Sequence, residues 1–132
     1  MMRSALLPAL LVLSFGFGSA SADTFDKSVK ANTRTAVGAF FTYSEGTCQA
    51  SVVPDVTVRT KPANGTVAIE VKDVTMKPDS SCPGTRMRGP VFIYTPAKGF
   101  RGSDQFEIDI PFARTDVRPP TVYTHTYRIK VE

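Results

Sequence analysis

The chain has 132 residues and carries 16 Lys or Arg against 12 Asp or Glu, a formal net charge of +4. Its single histidine excludes a multi-histidine metal centre and the H-E-x-x-H motif. The cations are scattered along the chain, so the dense basic stripe that nucleic-acid binding requires is missing, and no nucleic-acid partner is expected.

The first element is a targeting segment. Arg3 supplies a positive charge, residues 5–18 form an apolar run, and Ala20-Ser21-Ala22 has the small-x-small form at which signal peptidase cuts. The competing reading, a membrane anchor, needs roughly 18–20 apolar residues, and this run is shorter and interrupted by Pro8 and glycines. No cysteine stands at the cleavage point to carry a lipid, and no later stretch is apolar enough to span a bilayer. Cleavage after Ala22 leaves residues 23–132 as one domain, periplasmic or secreted and not membrane-embedded. Loss of Arg3 lowers the net charge to +3, a mild excess that draws the chain only weakly toward anionic envelope polymers.

Export also accounts for the cysteines. In an oxidising compartment Cys48 and Cys82 most simply form one disulfide. Metal sites need closer spacing and further ligands, and redox pairs are usually C-x-x-C. Closing a loop of that size restrains the unfolded chain by roughly 3–4 kcal/mol.

After the cleavage site, residues 23–35 are polar and without clear period, which fits either a short helical turn or an ordered arm. Residues 36–43 suit a strand, and Glu45-Gly46 turns the chain toward Cys48. Residues 49–53 and 56–60 are strand-like pieces separated by Pro54, which cannot donate to a ladder and marks a bulge, edge or corner. Asn64-Gly65 reads as a tight hairpin turn with positive φ. Asn64-Gly65-Thr66 also matches the N-glycosylation acceptor pattern, although the turn alone explains these residues. Beyond it Val67, Ile69 and Val71 alternate with Ala68, Glu70 and Lys72, the mark of a half-buried strand.

Residues 75–89 read as a long irregular loop with Pro78 and Pro83, tied down through Cys82. Loops of that length usually carry function or need a staple. Lys77, Arg86 and Arg88 flank the cysteine there and form a candidate binding loop, with Arg114 and Arg118 in another. The stretch from Val91 to Ile110 is strand, turn, strand. Pro96 and Gly99 bend a first connection and Gly102 and Ser103 a second, and then Phe106, Ile108 and Ile110 alternate with Gln105, Glu107 and Asp109. Residues 111–120 form a loop. Residues 121–131 close the chain as a strand with Tyr123, His125, Tyr127, Ile129 and Val131 on one face. About seven short strands and no helical period predict an all-β antiparallel sandwich with one disulfide; a small closed barrel is the alternative.

Two blocks, Pro62-Ala-Asn-Gly-Thr-Val67 and Tyr94-Thr-Pro-Ala-Lys-Gly-Phe-Arg-Gly-Ser-Asp-Gln-Phe106, together with a closing strand, resemble the bacterial immunoglobulin-like and cadherin-like repeats. The pattern is roughly P-x-x-G-T-V, then Y-x-P-x-x-G-F-x-G-x-D-x-F, and it spans residues 62–131. In the second block Tyr94, Pro96, Gly99, Phe100, Gly102, Asp104 and Phe106 all fall in register. The resemblance implies an immunoglobulin-like sandwich in which Gly99 and Gly102 permit turn geometry. Phe100 and Phe106 then fill the core, and Asp104 accepts backbone N–H groups in the turn before its strand. Such repeats usually stand in tandem in adhesins. This chain holds one copy and a cysteine pair that the usual repeat lacks, so a stand-alone exported module is expected.

Enzymatic constellations are sparse. A Ser/His/Asp set could assemble around His125, but no G-x-S-x-G elbow supports it, and a packed histidine between Tyr123 and Tyr127 is the simpler reading. A blue-copper centre needs two histidines, and Met76 and Met87 do not replace them. Glu107 and Asp109 share a strand face that reads as solvated rather than as a glycosidase pair. Asp104, Asp109 and Asp116 offer oxygens for calcium, yet a lone module has no neighbour to complete such a site. No cofactor and no metal are expected. The expected function is a non-enzymatic, monomeric module that meets an unknown protein or envelope component through its loops or a sheet edge. The alternative is a small exported hydrolase or a ligand or metal carrier centred on His125.

Overall fold

A computed structural model describes residues 22–112 and 121–132. The expected targeting segment, up to Ser21, and Arg114, Asp116 and Arg118 of the expected 111–120 loop lie outside the described residues. Among the described residues there are nine strands: β1 (Ala22–Val29), β2 (Thr35–Ala39), β3 (Tyr43–Ser44), β4 (Gln49–Ala50), β5 (Thr57–Thr60), β6 (Gly65–Thr75), β7 (Arg86–Pro96), β8 (Gly102–Phe112) and β9 (Thr121–Val131). They form a four-stranded sheet in the order β1-β9-β8-β5, a three-stranded sheet β2-β7-β6, and the small hairpin β3-β4. The protein is an all-β sandwich-like fold of two main sheets, which sets aside the closed barrel.

Alternation builds the core. Phe106, Ile108 and Ile110 on β8 and Tyr127, Ile129 and Val131 on β9 meet Phe92 and Tyr94 of β7 and Val37 of β2, all of them buried. At roughly 25 cal/mol per Å² of apolar surface removed from water, this two-sided packing is the main stabilising term of the fold. Phe106 stacks between Tyr94 and Tyr127, with ring centroids 6.2 and 5.0 Å away. Phe100 packs on the edge of this cluster rather than inside it.

Five expectations need correction. Two additional strands bring the count from about seven to nine. Residues 22–29 are neither helical turn nor arm but strand β1, which runs parallel to β9 with Phe25 opposite Tyr127 and Val29 opposite Val131. The pairing is therefore not wholly antiparallel. Only Val29 is buried along β1 and Phe25 is half-buried, so an edge strand needs few apolar residues and its sequence shows little period.

The loop expected at 75–89 is shorter. β6 and β7 remain paired out to Thr75 opposite Arg86, and only residues 76–85 connect them. The turn between β7 and β8 is likewise single, over residues 97–101, with Phe100 N–H donating to Ala97 O at 3.0 Å. Gly99 takes φ of 77° there, and Gly102 with φ of 131° already opens β8.

Finally, Asn64-Gly65 closes no hairpin. β5 pairs with β8 and β6 with β7, so this segment crosses between the two sheets, and neither residue has positive φ. Glycine is required for a different reason: a Cβ on Gly65 would lie 2.6 Å from Thr95 O and 2.8 Å from the Tyr94 ring. Pro90 sits inside the central strand β7, where its carbonyl accepts from Phe40 N–H at 3.1 Å. Its missing N–H therefore faces the β2 side, at the end of that short ladder, and not the continuous ladder to β6.

Candidate functional site

His125 is 7% exposed, on β9 between β1 and β8. Phe25 and Phe40 flank its ring at centroid distances of 5.1 and 5.8 Å. Its Nδ1 has no hydrogen-bond partner, and its Nε2 lies 3.7 Å from Asp23 Oδ2. Burial lowers the imidazole pKa below its ordinary value, and the nearby Asp23 charge offsets only part of that. The geometry is that of a neutral histidine packed among aromatic rings. Neither of the two surface hollows described below is lined by it.

The paired carboxylates belong to an ion-paired sheet face. Asp109 accepts from Thr124 Oγ1 at 2.8 Å and from Arg59 Nη1 at 3.3 Å, and Glu107 accepts from Thr60 Oγ1 at 2.9 Å. Arg59 bridges the two, with Nε 3.7 Å from Glu107 Oε2. Among the described residues no group of three or more His, Cys, Asp and Glu side chains is placed to hold a metal ion. Met87 is buried and Met76 half-buried, on the strand and loop around the disulfide.

Cys48 and Cys82 are joined, with Cα atoms 5.7 Å apart, and tie the β3-β4 turn to the β6–β7 loop. Within that loop Met76 N–H donates to Thr85 O at 2.9 Å and Gly84 N–H to Met76 O at 3.0 Å, which narrows its base. The basic residues expected there separate. Arg86 and Arg88 stand on β7 and both approach Asp73 of β6, at 3.9 and 3.5 Å. Lys77 alone remains on the loop, at the rim of a hollow of about 500 Å³ floored by Ala36, Ala39, Val74 and Val91.

The residues in register with the repeat pattern form a brace rather than a ligand site. Asp104 is 8% exposed and its carboxylate accepts four hydrogen bonds: Ala63 N–H at 3.0 Å, Asn64 N–H at 3.1 Å, Tyr94 O–H at 2.7 Å and Gln105 N–H at 2.9 Å. The expectation that Asp104 accepts backbone N–H groups holds, but two of them come from the distant β5–β6 crossover. Ala97 N–H in turn donates to Asn64 O at 2.8 Å. Burial, reinforced by the Asp104 carboxylate, raises the Tyr94 pKa far above the ordinary phenol value, so the hydroxyl stays a donor.

A further concavity was not anticipated. It is an open trough of about 780 Å³ across the outer face of the four-stranded sheet, lined among others by Asp26, Lys27, Lys61, Gln105, Arg128 and Lys130. Arg128 grips Asp26 with a two-pronged contact, Nε to Oδ1 at 2.7 Å and Nη2 to Oδ2 at 2.9 Å. The pair holds the Asp26 carboxyl below the usual carboxylate range. No sequence signal joins these residues, because the trough depends on the parallel pairing of the first described strand with the last.

No family model matches the chain, and no curated protein matches it in sequence. A solved structure similar in fold is the solution structure of amebosin, at 12% identity and a TM-score of 0.42 over 87% of this chain and 100% of that one. The likeness is between all-β folds and carries no argument about ligand or activity.

Proposed function

We propose that this protein is an exported, stand-alone immunoglobulin-like module that binds an envelope or protein partner and performs no chemistry. The observation that carries the reading is strand order. In immunoglobulin domains B, E and D form one sheet and C, F and G the other. The β2-β7-β6 sheet and the β9-β8-β5 neighbours follow that arrangement, with β1 added alongside the last strand. Together with the Tyr94–Phe106 pattern, this supports the immunoglobulin-like assignment. The Cys48–Cys82 disulfide differs from the inter-sheet bridge of antibody domains: it staples two loops, which fits a lone domain exposed to an oxidising compartment.

Binding rather than turnover is supported by where the concavities lie. The open trough and the hollow beside Lys77 sit on outer sheet faces, whereas His125 is enclosed by Phe25, Phe40 and Tyr127. Two measurements test the reading. The first is hydrolysis of a panel of esters and glycosides by the wild type and His125→Ala. No turnover above background is expected; turnover that disappears in His125→Ala would replace the binding module with a hydrolase. The second is capture from envelope extract, where a component retained by the wild type should be released by substitutions in the trough or at Lys77.

A further inference from the structure

We propose that the trough on the outer face of the β1-β9-β8-β5 sheet binds a carboxylate-bearing polysaccharide laid across the strands. This deepens the binding-module reading and rests on it. The trough has the volume of a ligand site, within the roughly 300–1,000 Å³ that such sites usually occupy. Its charge selects the ligand. On the strands outside the trough the cations are matched, Lys72 by Glu70, Arg86 and Arg88 by Asp73, Arg59 by Glu107 and Asp109. The cations there without a carboxylate within 4.0 Å among the described residues, Lys30, Lys77, Lys98 and Arg101, lie in connecting loops. Lys61 lines the trough from the β5–β6 crossover. Lys27, on the face of β1 that carries Phe25 and Val29, borders both the trough and the hollow beside Lys77, and neither lysine has a carboxylate within 4.0 Å among the described residues. Lys130 adds a third ammonium, paired only with the exposed Glu132 at 3.4 Å.

The acidic groups in the trough do not cancel this charge. Asp26 is engaged by Arg128, and Asp104 is consumed by its four donors. The fork to Asp26 uses two of the five guanidinium donors and leaves the others for a ligand carboxylate. The wall that carries Lys61 is also fixed in advance, because Asp104 holds the Ala63 and Asn64 amides just beyond it. Binding therefore pays little to order the site.

The lining also separates the acidic glycan from other polyanions. No aromatic side chain lines the trough, so neither a nucleobase nor the apolar face of a neutral sugar finds a ring to stack on. The one large apolar residue among those lining it, Ile129, is turned into the core and 2% exposed, so it cannot enter a lipid surface. Ser28, Ser103 and Gln105 instead offer donors and acceptors for sugar hydroxyls.

The test is a titration of the exported, disulfide-bonded protein with oligogalacturonate, followed by calorimetry and by amide chemical shifts. Neutral dextran, single-stranded DNA and vesicles containing phosphatidylglycerol are run beside it. Oligogalacturonate should bind and shift the amides of β1, β9 and residues 60–64, and raising the salt to about 0.5 M should largely abolish binding. Lys27→Gln/Lys61→Gln should weaken it about tenfold, as expected for two exposed charge contacts. Arg86→Gln/Arg88→Gln on the other sheet should bind like the wild type. The proposal is overturned by absence of binding, by dextran binding equally well, by DNA or vesicles binding more tightly, or by a double lysine variant with unchanged affinity. Such a result with no esterase or glycosidase turnover would remove the ligand class and leave the binding module standing.

Discussion

Asp104 and His125 are the two buried polar side chains of the described residues, 8% and 7% exposed, and they sit toward opposite ends of the sandwich. Asp104 has a donor for every direction from which its carboxylate can accept. His125 has aromatic rings on its faces and an Nδ1 with no partner. One end of the molecule is thus held by a satisfied polar brace that ties the crossover to both sheets. The other is held by ring packing and a covalent staple between loops. Buried polar groups stabilise a fold only when every member of the network is paired, so the two ends should respond in opposite ways when their polar residue is removed.

The largest effect is expected at the brace. Asp104→Ala leaves Ala63 N–H, Asn64 N–H and the Tyr94 hydroxyl without their acceptor. A loss of about 4 kcal/mol is expected in denaturant unfolding, given roughly 1–3 kcal/mol for each donor left unsatisfied and partial rescue by water. Tyr94→Phe, which removes one bond and keeps the ring, should cost only about 1 kcal/mol. If Asp104→Ala costs no more than Tyr94→Phe, the crossover is held by packing alone and the contrast between the two ends collapses.

The staple comes next. Cys48→Ser/Cys82→Ser should lower stability by roughly 3–4 kcal/mol, mostly by freeing the unfolded chain across a separation of 34 residues. Unfolding of the wild type with and without reductant should reproduce the same difference. An unchanged midpoint would show that residues 76–85 hold their shape through the Met76–Thr85 pairing without sulfur. A smaller effect is expected from Gly65→Ala, about 1–3 kcal/mol, because the new methyl meets the backbone of Thr95. Gly46→Ala, where nothing lies within 4 Å, is its near-neutral control.

Those differences also mark what could be read from the residues in order. Strands β7 and β8, the buried face of β9 and the Cys48–Cys82 bridge were legible, because alternation of Phe106, Ile108 and Ile110 and an even cysteine count are local or compositional signals. That the turn after β7 carries the chain into the other sheet was not legible. Nor was β1. Its Asp23, Asp26 and Lys27 are what an exposed edge strand can afford, and parallel pairing across the whole chain leaves no local trace. The start of β7 was read as part of the 75–89 loop, on the strength of Pro78, Pro83 and the glycines, yet Arg86 and Arg88 already stand on the strand and face Asp73 of β6. Asn64-Gly65 carried a real constraint that pointed to the wrong element. Glycine was demanded by the approach of Thr95 and Tyr94, not by a hairpin, and no single sequence distinguishes a steric requirement from a conformational one. The trough was illegible for a similar reason, since Asp26 and Lys27 reach Arg128 and Lys130 only through that pairing, and Lys61 reaches them only through β8.

The smallest expected effect is the most discriminating. His125→Phe replaces a buried ring that lacks a partner at Nδ1 by one that needs none, in a cage already made of Phe25, Phe40 and Tyr127. Near neutral pH the change should alter stability by less than about 1 kcal/mol, and in the stabilising direction if the wider Phe ring is accommodated. Acid separates the two proteins. The folded-state pKa of His125 is lowered, so in the unfolded chain the imidazole takes up its proton first as pH falls. The wild type therefore loses stability as pH drops below about 6.5, and the loss levels off only below the depressed folded value. His125→Phe should lack that slope, so the gap between the variants should widen from pH 7 toward pH 5 in paired denaturation curves. Parallel curves over that range would mean that the histidine is protonated in the folded protein at little cost, with Asp23 as its counter-ion, and that this end of the sandwich is as well satisfied as the Asp104 end.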